Sequence, residues 1–229
     1  MSIRSVSAPP EAAAAGAVPA LQGSRSLGEG LYGLANRLAA ALLIVLLSPV
    51  LLLVTLVIWR MDGGPILFGH YRVGQGGRLI KVPKFRSMRV DAQQRLAELL
   101  ATDLDARSEW ERDFKLAHDP RITRVGHFLR RSSLDELPQL FNVLRGDMVL
   151  VGPRPITVQE LRRYGAVRWH YLSVTPGMTG LWQVSGRNEL SYAERVELDR
   201  SYVENRSWKL DLEILLRTVS VVVTGRGAR

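Results

Sequence analysis

Hydrophobic residues are concentrated in one long segment near the start of the 229-residue chain. Residues 38–59 contain no charged side chain and read LAAALLIVLLSPVLLLVTLVIW. A helix of this length extends roughly 33 Å, which is enough to cross the hydrocarbon core of a bilayer. The run is too long for a signal-peptide core, starts late and is not followed by a small-residue cleavage site. The pattern therefore predicts a membrane-embedded helix.

A Ser-Pro pair lies at the centre of this apolar helix. Pro49 has no N–H to donate to the carbonyl of Val45, and Ser48 can bond a carbonyl one turn back, so a bend is expected. Arg37 and Arg60 flank the run, so positive charge does not select an inside end. Two topologies remain. The residues alone favour one kinked spanning helix, since prolines commonly only kink such helices; the alternative is a re-entrant helix that enters and leaves by the same face.

The patterns in the rest of the chain predict a mainly helical α+β domain that lies against the membrane. Residues 1–30 are rich in Ala, Gly, Ser and Pro without apolar periodicity, and they predict a disordered tail. Two strand-like runs around the turn at 74–77 predict a short β-hairpin. The predicted divisions are a tail over 1–30, a membrane helix over 31–62 and one domain over 63–229.

Periodicity and turn residues place further elements in this domain. The last helical segment is partly amphipathic, which favours a core helix, with a membrane-surface helix as the second interpretation. The glycine-rich stretch over 176–187 predicts a loop. Helical segments are predicted over 91–118, 125–144, 156–171, 190–202 and 208–223, and the two hairpin strands over 66–73 and 78–85.

Composition and charge narrow the classes of ligand and of reactive group that the chain can use. The chain has 31 basic and 22 acidic residues, a net charge of +9, and all but four of the basic residues are arginine. Arginine binds phosphate bidentately, so this bias indicates phosphorylated partners, with nucleic acid, anionic lipid and nucleotide all open. The absence of cysteine excludes disulfides, thiolate nucleophiles and cysteine-ligated metals. The histidines show no metal-ligand spacing and are interpreted as surface or structural residues: His70, His118, His127 and His170.

Two adjacent carboxylates, Asp135 and Glu136, follow two arginines in the string RRSSLDELPQL. The residues from Ser133 to Glu136 also have the pattern of a helix-capping box, and on this segment alone that structural interpretation is favoured. Pro138 weakens the capping-box interpretation. A helix that began at Ser133 would need a backbone N–H donor at position 138, and proline has none. The alternative is an exposed turn whose carboxylates hold a phosphate ester through Mg²⁺, or whose aspartate attacks phosphorus.

Basic residues near several turns are candidate phosphate ligands. Lys84 and Arg86 share one face of a strand-like stretch, although a solvated strand edge explains them equally simply. Arg154 stands between Pro153 and Pro155, and this stiff backbone suits a pre-placed guanidinium. Arg187, in the glycine-rich loop, is a candidate contact for a nucleotide or a sugar.

Taken together, these motifs resemble those of the bacterial sugar transferases, which are monotopic phosphoglycosyl transferases. The resemblance covers about residues 31–223 and is greatest to the short enzymes that begin exopolysaccharides with galactose 1-phosphate. It rests on the apolar run with its central Ser-Pro, followed by KFRSM, DPRITRVGHFLRRSSLDELPQLFNVLRGDMVLVGPRP and PGMTGLWQVSGRN.

The resemblance implies transfer of a sugar 1-phosphate from a UDP-sugar to undecaprenyl phosphate, with release of UMP and a covalent phosphosugar–aspartate intermediate. It implies that Asp135 is the nucleophile and that Glu136 is its acidic partner at a Mg²⁺ ion held by both. It also implies a re-entrant helix, and a catalytic domain over 63–229 on the cytoplasmic face of the bacterial inner membrane. The implied phosphate ligands are Lys84, Arg86, Arg130 and Arg154.

Two other function classes compete with this interpretation. A membrane-tethered, arginine-rich protein that binds nucleic acid or anionic lipid without catalysis would explain the +9 charge. A glycoside hydrolase fits poorly, because its two acids must flank a bond at about 5 Å or more, and chain neighbours usually point in different directions. The expected partners are a UDP-sugar (galactose or glucose favoured), undecaprenyl phosphate and membrane lipids, without nucleic acid. Homo-oligomerisation and the identity of the sugar stay open.

Overall fold

The computed structural model describes residues 4–5, 27–113, 116 and 118–224. Most of this part of the chain is helical, as predicted for a mainly helical α+β protein. The strands are β1 Arg4–Ser5, β2 Leu67–Val73, β3 Leu79–Phe85, β4 Val149–Val151 and β5 Gly177–Thr179. The α-helices are α1 Leu27–Asp62, α2 Ala92–Thr102, α3 Leu104–Asp113, α4 Arg124–Arg131, α5 Leu140–Arg145, α6 Val158–Arg163, α7 Arg168–Ser173, α8 Leu181–Val184, α9 Tyr192–Asn205 and α10 Trp208–Thr224.

The predicted β-hairpin is confirmed. β2 and β3 pair in antiparallel fashion along all seven residues of each strand. Gly76 in the connecting turn has a φ of 65°, a left-handed conformation that glycine adopts without a Cβ clash. β1 pairs in parallel with β2, and β4 pairs in parallel with β5 to form a second sheet. A bridge between Val73 and Ile156 joins the hairpin to the segment that follows β4.

The predicted tail falls mostly outside the described residues. Of residues 1–30, Arg4–Ser5 form β1 and the last four belong to α1, which begins at Leu27.

α1 is a single helix that continues through Pro49. Ser48 Oγ donates a hydrogen bond of 2.8 Å to the carbonyl of Val45, the group that Pro49 leaves without its usual N–H donor. Among the described residues, α1 is the one helix that is long and apolar enough to cross a membrane, over residues 28–61.

One stripe of α1 packs against the domain on both sides of Pro49. Before the proline, Ala40 is fully buried in a cluster that includes Val143. After the proline, Ile58 is fully buried in a cluster that includes Leu129. Both halves of the helix therefore lie against the same domain. The opposite stripe is exposed and apolar: Leu38, Leu42, Val45, Leu46, Leu52, Leu53, Leu56 and Trp59.

Three predicted helical regions are divided in the structure. The region 91–118 contains α2 and α3, 125–144 contains α4, a 3₁₀ turn over 134–139 and α5, and 156–171 contains α6 and most of α7. Left-handed residues account for two of the breaks, Ser133 with φ 56° and Gly165 with φ 54°. The loop prediction over 176–187 was wrong in part, because β5 and α8 lie within it.

The capping-box interpretation of Ser133 and Glu136 is wrong. Ser133 is left-handed and its side chain makes no capping hydrogen bond. True capping boxes occur at Thr157, which starts α6, and at Ser191, which starts α9.

The last two helices were predicted to within three residues. α10 buries Asp211 and Ile214, which confirms the core-helix interpretation for its inner face. Its outer face exposes an apolar stripe, for which the membrane-surface interpretation stays a prediction: Leu212, Leu216, Val219 and Val223.

Candidate active site

A cavity of about 1260 Å³ lies between the β2–β3 hairpin, the 3₁₀ turn over 134–139, α9 and the facing sides of α1 and α10. The hairpin and the turns contribute charged side chains to its wall. α1 and α10 contribute the apolar residues Leu43, Leu47, Leu215 and Val222. A cavity with one charged and one apolar wall suits a ligand that has both characters.

The two predicted carboxylates lie on the 3₁₀ turn at the charged wall. α4 ends at Arg131, and the left-handed Ser133 then turns the chain so that its carbonyl accepts from Glu136 N at 3.2 Å. A non-glycine residue in this conformation costs about 1–3 kcal/mol and is typical of functional sites. Pro138 lies inside the turn. The strained turn places both Asp135 and Glu136 in the cavity wall.

Asp135 makes weaker ion pairs than Glu136 does. It is buried, and Lys84 Nζ lies 3.9 Å from its Oδ2. Burial raises the pKa of Asp135 above its usual range, and the neighbouring charge of Glu136 adds to this effect, while the nearby cations only partly oppose it. Asp135 therefore combines a basic, poorly solvated carboxylate with access to the cavity, which suits a nucleophile.

Glu136 is held by two cations. Its Oε1 accepts hydrogen bonds from Lys84 Nζ at 2.6 Å and from an Arg154 terminal nitrogen at 2.8 Å. Burial alone would raise the pKa of Glu136, but the positive charges of Arg154 and Lys84 outweigh it and hold the pKa far below its usual range. Glu136 is therefore ionised, and it fixes the positions of two basic side chains beside Asp135.

The structure brings Lys84 and Arg154 to the carboxylates, and their predicted binding of substrate phosphate stays a prediction. Lys84 comes from β3, and Arg154 follows β4, between two prolines. The charge of Glu136 raises the pKa of Arg154 above that of a free guanidinium. Both side chains are about one third exposed, so they keep contact with the cavity.

Arg130 and Arg86 occupy different positions. Arg130 Nε donates to Ser87 Oγ at 2.9 Å, and its charge acts on Asp135 from the end of α4. Arg86 is buried, and one of its terminal nitrogens donates to the carbonyl of Gly63, just after α1. Both line the cavity, but this contact of Arg86 ties the loop after α1 to the site.

Arg187 lies in the wall of the same cavity and interacts electrostatically with the Glu136–Arg154 ion pair. It has a left-handed φ of 51°, and its Nε donates to the carbonyl of Gln183 at 3.2 Å. Burial lowers the pKa of Arg187; the charge of Glu136 opposes this effect and the charge of Arg154 adds to it. It lies in the cavity wall, and its predicted contact with a nucleotide or a sugar stays a prediction.

Several residues of the wall were not predicted. Arg72 on β2 forms an ion pair of 3.1 Å with Glu160, and His70 lines the cavity two residues earlier. The alternation of β2 could have indicated that His70 and Arg72 share a face. Arg195 on α9 and Trp182 on α8 also line the cavity, with the Arg195 guanidinium 5.0 Å from the Trp182 ring centroid. No local signal marks that pair, because it depends on the packing of two helices.

Asp135 and Glu136 are the candidate ligands for the predicted Mg²⁺. The described residues contain no cluster of three or more His, Cys, Asp or Glu side chains arranged for a metal. Mg²⁺ is commonly held by one or two carboxylates together with substrate phosphates, and Asp135 meets that requirement. Glu136 is less suited, because Lys84 and Arg154 already bind its Oε1. The residues thus fit a Mg²⁺ held mainly by Asp135 and by phosphate oxygens.

Comparison with known proteins gives a consistent result. The model of a family described as bacterial sugar transferase matches residues 31–225. The chain is 54% identical over 186 residues to the UDP-galactose-lipid carrier transferase of Erwinia amylovora. This match covers 81% of this chain and 39% of that protein. It is 54% identical over 187 residues to the undecaprenyl-phosphate galactose phosphotransferase of Salmonella typhimurium. This match covers 82% of this chain and 39% of that protein.

A shorter relative is matched over most of its length. The exopolysaccharide production protein ExoY of Rhizobium meliloti is 45% identical over 200 residues, which cover 86% of this chain and 88% of that protein. The chain therefore spans about two fifths of the longer relatives and nearly all of the shorter one.

Proposed function

This chain belongs to the bacterial sugar transferase family, and on that premise we propose that it transfers a sugar 1-phosphate from a UDP-sugar to undecaprenyl phosphate and releases UMP. One observation carries the proposal: a single cavity joins a buried carboxylate surrounded by cations to an apolar wall made by α1 and α10. The charged wall suits a diphosphate and a lipid phosphate, and the apolar wall suits a polyprenyl chain. The names of the Erwinia and Salmonella relatives support the same pair of substrates.

The proposed reaction has two displacements. An oxygen of ionised Asp135 attacks the phosphorus that bears the sugar, and the bond from that phosphorus to the bridging oxygen breaks, with its electron pair leaving on UMP. A phosphate oxygen of undecaprenyl phosphate then attacks the same phosphorus and releases the Asp135 carboxylate. Splitting the transfer in this way lets one nucleophile serve two substrates that need not be bound together.

The cations around Asp135 act mainly by position and charge. Phosphoryl transfer depends chiefly on alignment and on neutralisation of the phosphate oxygens. Glu136 holds Lys84 and Arg154 in place before any substrate binds, so little reorganisation is needed. A Mg²⁺ held by Asp135 and the diphosphate would supply further neutralisation of that charge.

The packing of α1 supports a re-entrant arrangement. A helix that left the domain to span a bilayer would separate one half of its length from that domain. Here Ala40 and Ile58, on opposite sides of Pro49, are both buried against it. We place the exposed stripe of α1 in one leaflet of the bacterial inner membrane, with the catalytic domain over 63–229 on the cytoplasmic face. The undecaprenyl phosphate would then reach the cavity from the same leaflet.

The biological role proposed is the first step of exopolysaccharide synthesis. The name of the shorter relative, an exopolysaccharide production protein, supports it. The Salmonella relative is named as a galactose phosphotransferase, and a relative from Komagataeibacter xylinus is named as an undecaprenyl-phosphate glucose phosphotransferase, so galactose or glucose is the favoured sugar.

The decisive experiment is a panel of UDP-sugars scored by UMP release. The full chain, in detergent or lipid nanodiscs, is incubated with undecaprenyl phosphate, Mg²⁺ and each UDP-sugar in turn. UMP release that depends on the lipid is expected for UDP-galactose or UDP-glucose. No UMP from any UDP-sugar, with retention of anionic vesicles, would instead favour the membrane-tethered phosphate-binding protein.

A further inference from the structure

The guanidinium groups of Arg154, Arg187 and Arg195 all line the cavity that contains Glu136. Arg187 interacts electrostatically with Glu136 and Arg154, and Arg195 interacts with Arg154. Glu136 is already bound by Lys84 and Arg154. Within the part of the chain that the structure describes, no carboxylate lies within ion-pair distance of Arg187 or Arg195. Among the described residues, this side of the cavity therefore carries positive charge that is not bound in an ion pair, although Glu136 acts on Arg187 and Glu160 acts on Arg195 from a greater distance.

Both arginines are held in place without a bound anion. Arg187 adopts a left-handed backbone conformation, and its Nε is anchored on the carbonyl of Gln183. The Arg195 guanidinium stacks with its flat face on the Trp182 ring. The N–H groups at the edge of the guanidinium are therefore left to bind an oxygen ligand. Arg195 Nε is buried without a hydrogen-bond partner. Pre-placed cations of this kind bind an anion with little loss of side-chain entropy.

Arg187 and Arg195 line the same cavity as Asp135, but they are not among the charges that act most strongly on it. The charges that act most strongly on Asp135 are those of Lys84, Glu136, Arg130 and Arg154. Arg187 and Arg195 act instead on Arg154. Because all these side chains line one cavity, a diphosphate whose first phosphorus faces Asp135 can extend along the wall past Arg154, where its second phosphate would meet the two arginines.

We propose that Arg187, Arg195 and Trp182 form a second phosphate subsite, which binds the phosphate of UMP as it leaves. The inference rests on the proposed function and deepens it by assigning the leaving group to named residues. Bonds from Arg187 and Arg195 stabilise the negative charge that develops on UMP when the bridging bond breaks.

The same subsite serves the second displacement. Attack and departure at phosphorus are roughly in line, so UMP leaves on the side opposite Asp135. The lipid phosphate must then enter from the side that UMP vacated. Both ligands therefore present a phosphate monoester to Arg187 and Arg195, one with a nucleoside attached and the other with a polyprenyl chain.

Binding of UMP to the full-length chain, measured by calorimetry, tests the subsite. Arg187→Gln and Arg195→Gln should each weaken UMP binding by about tenfold or more, the effect of losing a charge-assisted hydrogen bond. Arg187→Lys and Arg195→Lys keep the charge without the planar guanidinium, so their UMP affinities should lie between those of the wild type and the Gln variants. Arg200→Gln is the matched control, because Arg200 lies on the same helix as Arg195 and pairs at the surface with Glu197.

The second arm uses undecaprenyl phosphate. Its KM in the complete reaction should rise about tenfold in the two Gln variants and remain unchanged in Arg200→Gln. UMP affinity within twofold of wild type, in variants that retain the wild-type melting temperature, would overturn the subsite. Weakened UMP binding with an unchanged lipid KM would overturn its role in the second displacement. Wild-type protein that releases no UMP from any UDP-sugar would overturn the proposed function itself.

Discussion

Tyr32, near the start of α1, donates a hydrogen bond to Asp211 Oδ2 on α10, with 2.7 Å between the oxygens. Tyr202 donates to the other oxygen of this buried carboxylate, Oδ1, at the same distance. The Arg206 guanidinium lies 4.2 Å from the Tyr32 ring centroid. The N-terminal end of α1 is therefore hydrogen-bonded to α10, at a carboxylate that α9 also contacts.

This link predicts that both ends of α1 lie on one face of the membrane. Cysteines introduced as Leu31→Cys and Met61→Cys are at exposed positions, and the natural chain has no cysteine to compete. A membrane-impermeant maleimide should label both only after spheroplasts are permeabilised. Labelling of either one in intact spheroplasts would establish a spanning helix instead.

Asp135→Asn should lower turnover by at least about a thousandfold, because the amide is a poor nucleophile and the covalent step is lost. Intact-protein mass spectrometry with UDP-sugar alone should detect a sugar-phosphate adduct on the wild type and none on the variant. The control is Asp105→Asn, which changes an exposed carboxylate on α3 and should leave both readouts unchanged. Robust turnover by Asp135→Asn would remove Asp135 from the mechanism.

The rate should also depend on the protonation of Asp135. Burial raises the pKa of this carboxyl, and only its ionised form can attack phosphorus. As the pH falls, kcat/KM should therefore decline at a higher pH than the usual aspartate pKa of about 3.9. A profile that stays flat down to that pH, in protein shown to be folded, would contradict the raised pKa.

Glu136→Gln should impair both the site and its stability. The substitution removes the negative charge that holds Lys84 and Arg154 together, so Arg154 loses its ion pair and Lys84 keeps only its 3.9 Å contact with Asp135 in a partly buried site. We expect turnover to fall by about ten- to a hundredfold, and the unfolding free energy to fall by about 1–3 kcal/mol. Glu136→Asp keeps the charge and should lie between wild type and Glu136→Gln in both measurements. Equal effects of the two substitutions would show that length, and not charge, matters at this position.

Asp199 should make the stability of the protein depend on pH. Its Oδ2 accepts from Tyr164 at 2.8 Å, and burial raises its pKa to about 7. The folded state thus binds this proton more tightly than the unfolded state, whose aspartate pKa is about 3.9. The associated stability is complete below about pH 4 and is lost as the pH rises to about 7.

Asp199→Asn removes this titration and keeps an oxygen that can accept from Tyr164. Chemical unfolding at pH 5 and pH 8 should show the wild type losing about 2–3 kcal/mol relative to the variant over this range. Parallel losses in the two proteins would show that Asp199 does not titrate there.

Much of the local structure could be predicted because its causes are local. The uncharged run of α1, the hairpin around its glycine turn and the paired carboxylates depend on neighbouring residues. The capping-box interpretation failed for a physical reason as well. Ser133 takes a left-handed conformation that turns the chain, and the Glu136 side chain binds Lys84 and Arg154.

By itself the sequence determined which segments are apolar, where the hairpin turn lies and which residues could carry the chemistry. Only the tertiary structure decided which of these residues meet. Lys84 and Arg154 lie 52 and 18 positions from Glu136, and the stack of Arg195 on Trp182 joins two helices. Periodicity and turn chemistry act over a few residues, whereas ion pairs and buried faces depend on how distant elements pack. For the same reason, the burial of α1 on both sides of Pro49 emerged only from its contacts with the domain.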